Sequence, residues 1–437
     1  MDAQSMIDGS RKHSVFTWSA GRDVHPLPLA SAQGSWLTLA DGRRLLDFNS
    51  QSMNANLGHK HPHMVAKLKN QLDAMPHAAP AFATEIRATV SQALSATLPE
   101  AIDKILYCLS GAEANENAFR AARLFTGRQK ILSSYRSYHG GSAGAIAATG
   151  DPRRWANEPG PPGFVHVLGL QPYTYSFGDM DERSDAHLTY LEEVIRGEGA
   201  HSIAAMVVEP VVGANGVLIP PKGYLARLKE LLGRYDILMI CDEVMSGFGR
   251  CGTFWGFERD GFVPDLVVMA KGMTCGYAPG GAVAFHERIS AHFEEHSFVG
   301  GLTCNSHPMV LGAVAGVLEV FEQEGIMENV RVRGEELAAG FAALEKDHPS
   351  VSEARSIGLM GMLDLQDPKG RLLANLTGNP ASMRYLKADL LDAGVYAFMR
   401  WSHLSAFPPL NITQEDLAFG LKGFDHALSQ LDARLGF

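Results

Sequence analysis

Cysteine is scarce in this chain. Its five residues among 437 (Cys108, Cys241, Cys251, Cys275 and Cys304) are odd in number and far apart. They make neither a disulfide framework nor a zinc-ligand spacing, and suit the reduced thiols of a cytoplasm. Positive charge is also short, with 38 Lys and Arg against 48 Asp and Glu and a net charge of −10. That balance argues against a nucleic-acid-binding surface and against a basic face that docks on membranes. No apolar run reaches the ~18 residues of a membrane span. The start, Met1-Asp2-Ala3-Gln4-Ser5, lacks the basic-then-apolar layout of a secretory signal. Internal repeats and low-complexity tracts are missing as well. No G-x-x-x-x-G-K-[ST] loop occurs, so the apolar strand running into Asp242-Glu243 has only half of what an ATPase needs. What remains is a 46% hydrophobic, 20% charged composition, that of a soluble globular enzyme expected in the cytoplasm. The length predicts two to three domains.

From about residue 63 to about 300, short apolar runs alternate with amphipathic stretches. This is the signature of a helix-covered, mostly parallel sheet. Strands are expected at Ile105–Leu109, Lys130–Ser133, Ile203–Val208, Ile237–Cys241, Leu266–Ala270 and Gly281–Phe285, and helices at His63–Met75, Ala114–Phe125 and Tyr224–Tyr235. Ahead of them, Gly34 to Asp47 reads as a hairpin turning at Asp41-Gly42. Past about 306 long helices dominate, then strands near Gly361–Gln366. The chain therefore divides into an N-terminal segment, 1–60, a large domain, 61–305, and a C-terminal small domain, 306–437. Gly160-Pro161-Pro162-Gly163 reads as a surface loop within the large domain.

One residue breaks the apolar pattern in an informative way. Lys271 follows directly on Leu266-Val267-Val268-Met269-Ala270, and burying an ammonium costs several kcal/mol unless its charge is lost or used. A lysine whose pKa is depressed by an apolar pocket is the nucleophile that forms Schiff bases with aldehydes, pyridoxal phosphate among them. Asp242, at the end of the preceding strand, then finds a use as partner of the cofactor's pyridinium nitrogen. Ser110-Gly111-Ala112-Glu113 follows a strand, opens a helix and has capping-box spacing. Such a helix start can hold a phosphate on backbone N–H groups without any lysine, although most Ser-Gly helix starts are only caps. Gly247-Phe248-Gly249-Arg250-Cys251-Gly252 matches G-x-G-x-x-G, but Asp242-Glu243 intervenes before it and no opening helix follows, so the match is read as accidental. His59 and His61 lack a third ligand and read as polar loop residues, and no metal site is expected.

Taken in order, Ser110-Gly111-Ala112-Glu113-Ala114-Asn115-Glu116, Tyr138-His139-Gly140, Val208-Glu209-Pro210, Asp242-Glu243-Val244, Gly247-Phe248-Gly249-Arg250 and Ala270-Lys271-Gly272 resemble the class III aminotransferases, over about Gly34 to Ile412. The resemblance implies the fold type I architecture of pyridoxal phosphate enzymes: an α/β large domain with a mostly parallel seven-stranded sheet covered by helices, and a smaller α+β domain from the two chain ends. It implies a homodimer, or a tetramer built from it, with active sites shared between subunits. Carried over residue by residue, it makes Lys271 the Schiff-base lysine and general base, and Asp242 the partner of the pyridine nitrogen. Ser110, Gly111 and Ala112 would meet the phosphate, and Thr303 would reach the phosphate of the neighbouring subunit. Val244 and Tyr138 would enclose the ring, and Glu209 would stand near its phenolic oxygen. His139 is read as structural, since this chemistry needs no second base.

Within that family, members that use glutamate with 4-aminobutyrate or ornithine usually carry, after the Glu-Pro, a glutamate that pairs with an active-site arginine. This chain has Ala214 there. Phe398-Met399-Arg400-Trp401, followed by Pro408-Pro409-Leu410-Asn411-Ile412, looks like the taurine–pyruvate and β-alanine–pyruvate branch. Arg400 is then expected to bind the anionic end of the substrates, since a guanidinium matches carboxylate or sulfonate bidentately. Trp18 is the second expected substrate-binding residue, as a pocket wall, with a core or interface aromatic as the alternative reading for it and for Trp401. The expected reaction moves an amino group from an ω-amino acid or taurine-like donor to a keto acid, pyruvate. A racemase or decarboxylase of the same fold, a 2-oxoglutarate-using member, and a non-catalytic relative are the alternatives. The intact Asp242, Lys271 and Thr303 set speaks against the last.

Overall fold

The computed structural model describes residues 1–170, 180–374, 378 and 380–437. At its centre lies a sheet of seven strands: β1 (Ile102–Cys108), β2 (Lys130–Ser134), β3 (Phe164–Val167), β4 (Ile203–Val208), β5 (Leu238–Asp242), β6 (Leu266–Met269) and β7 (Gly281–His286). Their spatial order is β1-β7-β6-β5-β4-β2-β3. All neighbours run parallel except β7, which is antiparallel to both β1 and β6. Every residue of β4, β5 and β6 is buried, as expected for strands covered by helices on both faces. Each Val, Ile or Leu hidden there contributes roughly 1.5–3 kcal/mol of transfer free energy. The expected strands appear within a few residues of their predicted limits, and β3 is an addition. It begins directly after the Gly/Pro-rich run at 160–163, whose turn residues hid its four-residue length.

The helix Gly111–Thr126 packs its Ala114, Ala118, Phe119, Ala121 and Ala122 face against the sheet. Ser110 caps it, its Oγ accepting the Glu113 N–H at 3.2 Å. Gly127 ends it in the left-handed conformation, φ 69°, where a side chain would be strained. The reciprocal bond of the capping box is displaced by one residue, because the Glu113 carboxylate accepts from the Leu109 N–H, 2.9 Å, instead of from Ser110. The G-x-G-x-x-G segment is a tight series of turns followed only by a short 3-10 turn, Gly256–Asp260.

Two four-stranded sheets flank this body. The predicted hairpin, Trp36–Leu39 with Arg44–Asp47, pairs on one side with Leu29–Gln33 and on the other, in parallel, with Val395–Tyr396. The second sheet holds Val351–Ile357, Met360–Leu365, His403–Ala406 and Phe398–Arg400, with helices Ile326–Asp347 and Gln414–Leu435 packed nearby. Arg250, completely buried, ties these parts to the large sheet. Its guanidinium donates to Asn56 Oδ1 at 2.7 Å, Leu359 O at 2.9 Å and Pro408 O at 2.6 Å. That gives a buried cation hydrogen-bonded acceptors in place of water.

Candidate active site

The carboxyl ends of the parallel strands converge on one side of the sheet, the usual place for a ligand in an open α/β fold. Asp242 closes β5, Lys271 follows β6 after Ala270, Glu209 follows β4, and Ser110 lies two residues past β1. Asp242 sits opposite Val268 in the β5–β6 register, which brings it beside the strand that delivers Lys271. These ends open on a cavity of about 360 Å3 whose walls include Ser110, Gly111, Ala112, Tyr138, His139, Glu209, Ala214, Asp242, Val244 and Lys271.

The Lys271 backbone is held at φ 39°, a left-handed conformation that costs a non-glycine residue about 1–3 kcal/mol and persists only where the surroundings enforce it. Its side chain keeps part of its surface open to the cavity. Burial pushes its pKa below the usual lysine range, while Asp242 and Glu209 pull it back up. Burial also raises the Glu209 carboxyl, with a smaller push from Asp242, against the Tyr138 and Gly213 backbone N–H groups it accepts at 3.0 Å each.

Asp242, 3% exposed, accepts three hydrogen bonds. The Val244 N–H reaches Oδ1 at 3.1 Å, and Asn115 Nδ2 at 2.9 Å and His139 Nδ1 at 2.7 Å reach Oδ2. A carboxylate has about four lone-pair sites, so one acceptor position is left over. Asn115 also donates to the His139 and Gly111 carbonyls, at 2.9 and 3.2 Å. His139 and Asn115 thus hold the Asp242 carboxylate in place, contacts that the sequence reading left out. Their signal was their place within the Ser110–Glu116 and Tyr138–Gly140 motifs, with Asn115 one helical turn after Gly111.

Gly111 starts its helix in contact with the cavity, and a Cβ there would stand 3.0 Å from Val244 Cγ2 and 3.4 Å from the Ala270 Cβ. The close approach leaves the first N–H groups of the helix, with their partial positive charge, accessible to an anion. Tyr138 and Val244 provide an aromatic and an aliphatic wall.

Three expected residues stand apart. Thr303 is exposed and lines no part of the cavity of its own chain. Trp18, 66% exposed, meets Tyr138 edge-on with centroids 6.3 Å apart. Arg400 does not line the cavity either and stands in a cluster invisible in the sequence. Its Nη2 contacts Asp151 Oδ2 at 3.3 Å and its guanidinium covers the Trp401 ring at 4.6 Å. Arg153 chelates the same carboxylate through Nε, at 3.1 and 2.9 Å, and Nη2. It also lies over the Tyr138 ring, 3.5 Å from the centroid. Burial, reinforced by Arg153, pushes Arg400 down to about 10. Asp151 is held below the usual range despite burial, because Arg153 bonds it and both arginines attract its charge. His59 and His61 pair with Asp47 and Glu324, at 2.8 and 3.1 Å.

Comparison with known proteins bears on this geometry. The sequence profile described as aminotransferase class-III matches residues 18–428. An uncharacterized aminotransferase YhxA of Bacillus subtilis is 30% identical, covering 94% of each chain. The taurine–pyruvate aminotransferase of Bilophila wadsworthia is 28% identical over 100% of this chain and 99% of its own. Among solved structures, the taurine:2-oxoglutarate aminotransferase of Bifidobacterium kashiwanohense, in complex with PLP and glutamate, superposes with a TM-score of 0.96 at 34% identity, covering 100% of this chain and 99% of that one.

Proposed function

The chain belongs to the class-III aminotransferases, which are pyridoxal phosphate enzymes, and from that premise we propose that it transfers the amino group of a donor with an acidic far end, an ω-amino acid or taurine-like amine, to pyruvate. The observation that carries the reading is the pairing of Lys271 with Asp242 at adjacent strand ends on one cavity.

The residues fit the cofactor. The N–H groups at Ser110, Gly111 and Ala112 would take its phosphate, Tyr138 and Val244 would enclose its ring, and the acceptor position left on Asp242 would meet its ring N–H. Glu209 would stand near its phenolic oxygen, and Lys271 Nζ would hold it covalently. When bound, the group supplies an electron sink for the charge that substrate Cα acquires on losing a proton. Lys271 Nζ, freed when the substrate amine takes its place, takes that proton, and its lowered pKa keeps an unprotonated amine available closer to neutrality. His139 and Asn115 fix the orientation of the Asp242 carboxylate. Arg400, with Arg153 beside it, receives the substrate's sulfonate or carboxylate. Thr303 acts from a second copy of the chain.

A donor panel tests this. Taurine, β-alanine, 4-aminobutyrate and 1-phenylethylamine are offered with pyruvate or 2-oxoglutarate, and alanine and glutamate are measured. Acidic donors should exceed the neutral amine by about tenfold or more, the worth of a charge-assisted contact. Equal rates would defeat the substrate reading. Borohydride reduction should leave the pyridoxyl label on Lys271, and a label elsewhere defeats the catalytic assignment. A second reading, 2-oxoglutarate as acceptor, is favoured by the two guanidinium groups and by the acceptor named for the Bifidobacterium enzyme. Glutamate outpacing alanine would select it.

A further inference from the structure

Asp151 is an unusual neighbour for a site that receives anions. Its side chain is fully buried, while those of Arg153 and Arg400 remain 17% and 18% exposed. The two donors therefore face outward and the acceptor lies behind them. The carboxylate is fixed from the back. Asn215 Nδ2 donates to its Oδ2 at 3.0 Å and the Arg153 N–H to its Oδ1 at 2.8 Å, so it cannot swing into the cleft without breaking both. Arg400 is only loosely engaged, since its one bond to Asp151 is long and its buried Nε has no partner. The charge of Arg153 is felt at Lys271 and that of Arg400 at Tyr138, so both reach the cavity electrostatically. Other charges near the cluster are already engaged. Arg355 pairs with Asp364 at 2.9 Å, and Arg136 donates to the Asn215 carbonyl and sits 5.6 Å from the Trp401 ring. On the cavity wall, Ala214 presents only a methyl group.

We infer that Asp151 sets how many anionic groups the site accepts: lying behind Arg153 and Arg400, it cancels one of their two charges, so the pair receives one sulfonate or carboxylate and disfavours substrates that bring two. This deepens the amino-transfer reading above and rests on it. Taurine and pyruvate each carry one anionic group, whereas glutamate and 2-oxoglutarate carry two. Asp151 touches no substrate atom and acts as a positioning residue through the arginines.

The test compares kcat/KM for 2-oxoglutarate and for pyruvate in the cofactor-loaded enzyme at fixed donor. Asp151→Asn leaves both guanidinium charges uncancelled and should raise the ratio of 2-oxoglutarate to pyruvate by roughly tenfold, as expected for one charge at partly buried range. Arg153→Gln removes one positive charge and should move the same ratio the other way. Opposite shifts are what a merely structural role would not produce. A ratio within twofold of the parent in either variant, or shifts of the same sign, overturns the inference. If Asp151→Asn does not fold, Asp151→Ser, which removes the same charge with a smaller side chain, takes its place. If the parent transfers no amino group, the proposed function falls, and calorimetric Kd values for glutarate and propionate, two carboxylates against one, decide the inference by the same ratio.

Discussion

Two acidic neighbours in one strand end face opposite demands. Asp242 opens on the cavity, and Asp242→Asn keeps its shape while losing the charge. It should retain much of the cofactor yet lose about 4 kcal/mol of transition-state stabilisation, roughly a thousandfold in single-turnover amino transfer. A rate near the parent's would remove Asp242 from the mechanism. Glu243 points the other way and is fully buried, accepting from Ser246 Oγ at 2.5 Å and the Phe257 N–H at 2.9 Å. Burial lifts its carboxyl from 4.5 to about 7. Between those values the folded chain keeps a proton that the unfolded chain has released. The stability this group contributes is therefore fully present below about 4.5 and lost as pH rises through 7, at most about 3 kcal/mol. Glu243→Gln, which can satisfy the same partners, should flatten the fall in thermal midpoint between pH 5 and 8. An unchanged slope would show that Glu243 does not titrate there. At this scale the sequence announced Lys271 and Asp242, because a cation and an anion at the ends of apolar strands violate the local pattern. It announced neither Asp151 nor Arg153, whose meaning depends on Arg400, 249 positions from Asp151, and no periodicity spans that distance.

Elements follow the same logic. Those with a regular apolar stripe or an unbroken apolar run, such as Gly111–Thr126 and β4, could be read to within a few residues. The helix Met180–Glu198 could not. Among its described residues the buried stripe runs Ser184, His187, Leu191, Ile195, so half of its inward positions are polar. Buried His187 is served instead by the Leu168 carbonyl and the Tyr224 hydroxyl, at 2.8 and 2.6 Å. The cap at Ser110 gives a direct test of element stability. Ser110→Ala removes the acceptor of the Glu113 N–H and should cost about 1 kcal/mol, read from the urea midpoint. A loss beyond about 3 kcal/mol would mean that Ser110 does more than cap. The Glu113 bond to Leu109 survives the change, so the helix start itself should persist.

At the scale of the whole molecule, Thr303 is exposed and so available to a second copy of the chain. If its hydroxyl serves the site of a second copy, mixing Lys271→Ala and Thr303→Ala chains should form heterodimers in which one site carries both defects and the other neither. Amino transfer should recover towards a quarter of the parent's at equal mixing, because half the dimers are mixed and each has one intact site of two. No recovery after proven subunit exchange would place Thr303 outside a shared site. A different consequence follows from the strand Arg44–Asp47, which lies between Trp36–Leu39 and the distant Val395–Tyr396, with Leu46 paired to Val395. During synthesis at ~5–20 residues per second, the early hairpin waits roughly 20–70 s for that partner. Meanwhile Leu45, Leu46 and Phe48, all buried in the finished chain, have no permanent cover, and one edge stands open to other nascent chains. That sheet can be completed only after residues 395–396 have been made. Trigger-factor-like chaperones that shield apolar edges during translation should raise the protein's soluble yield more than chaperones acting after release.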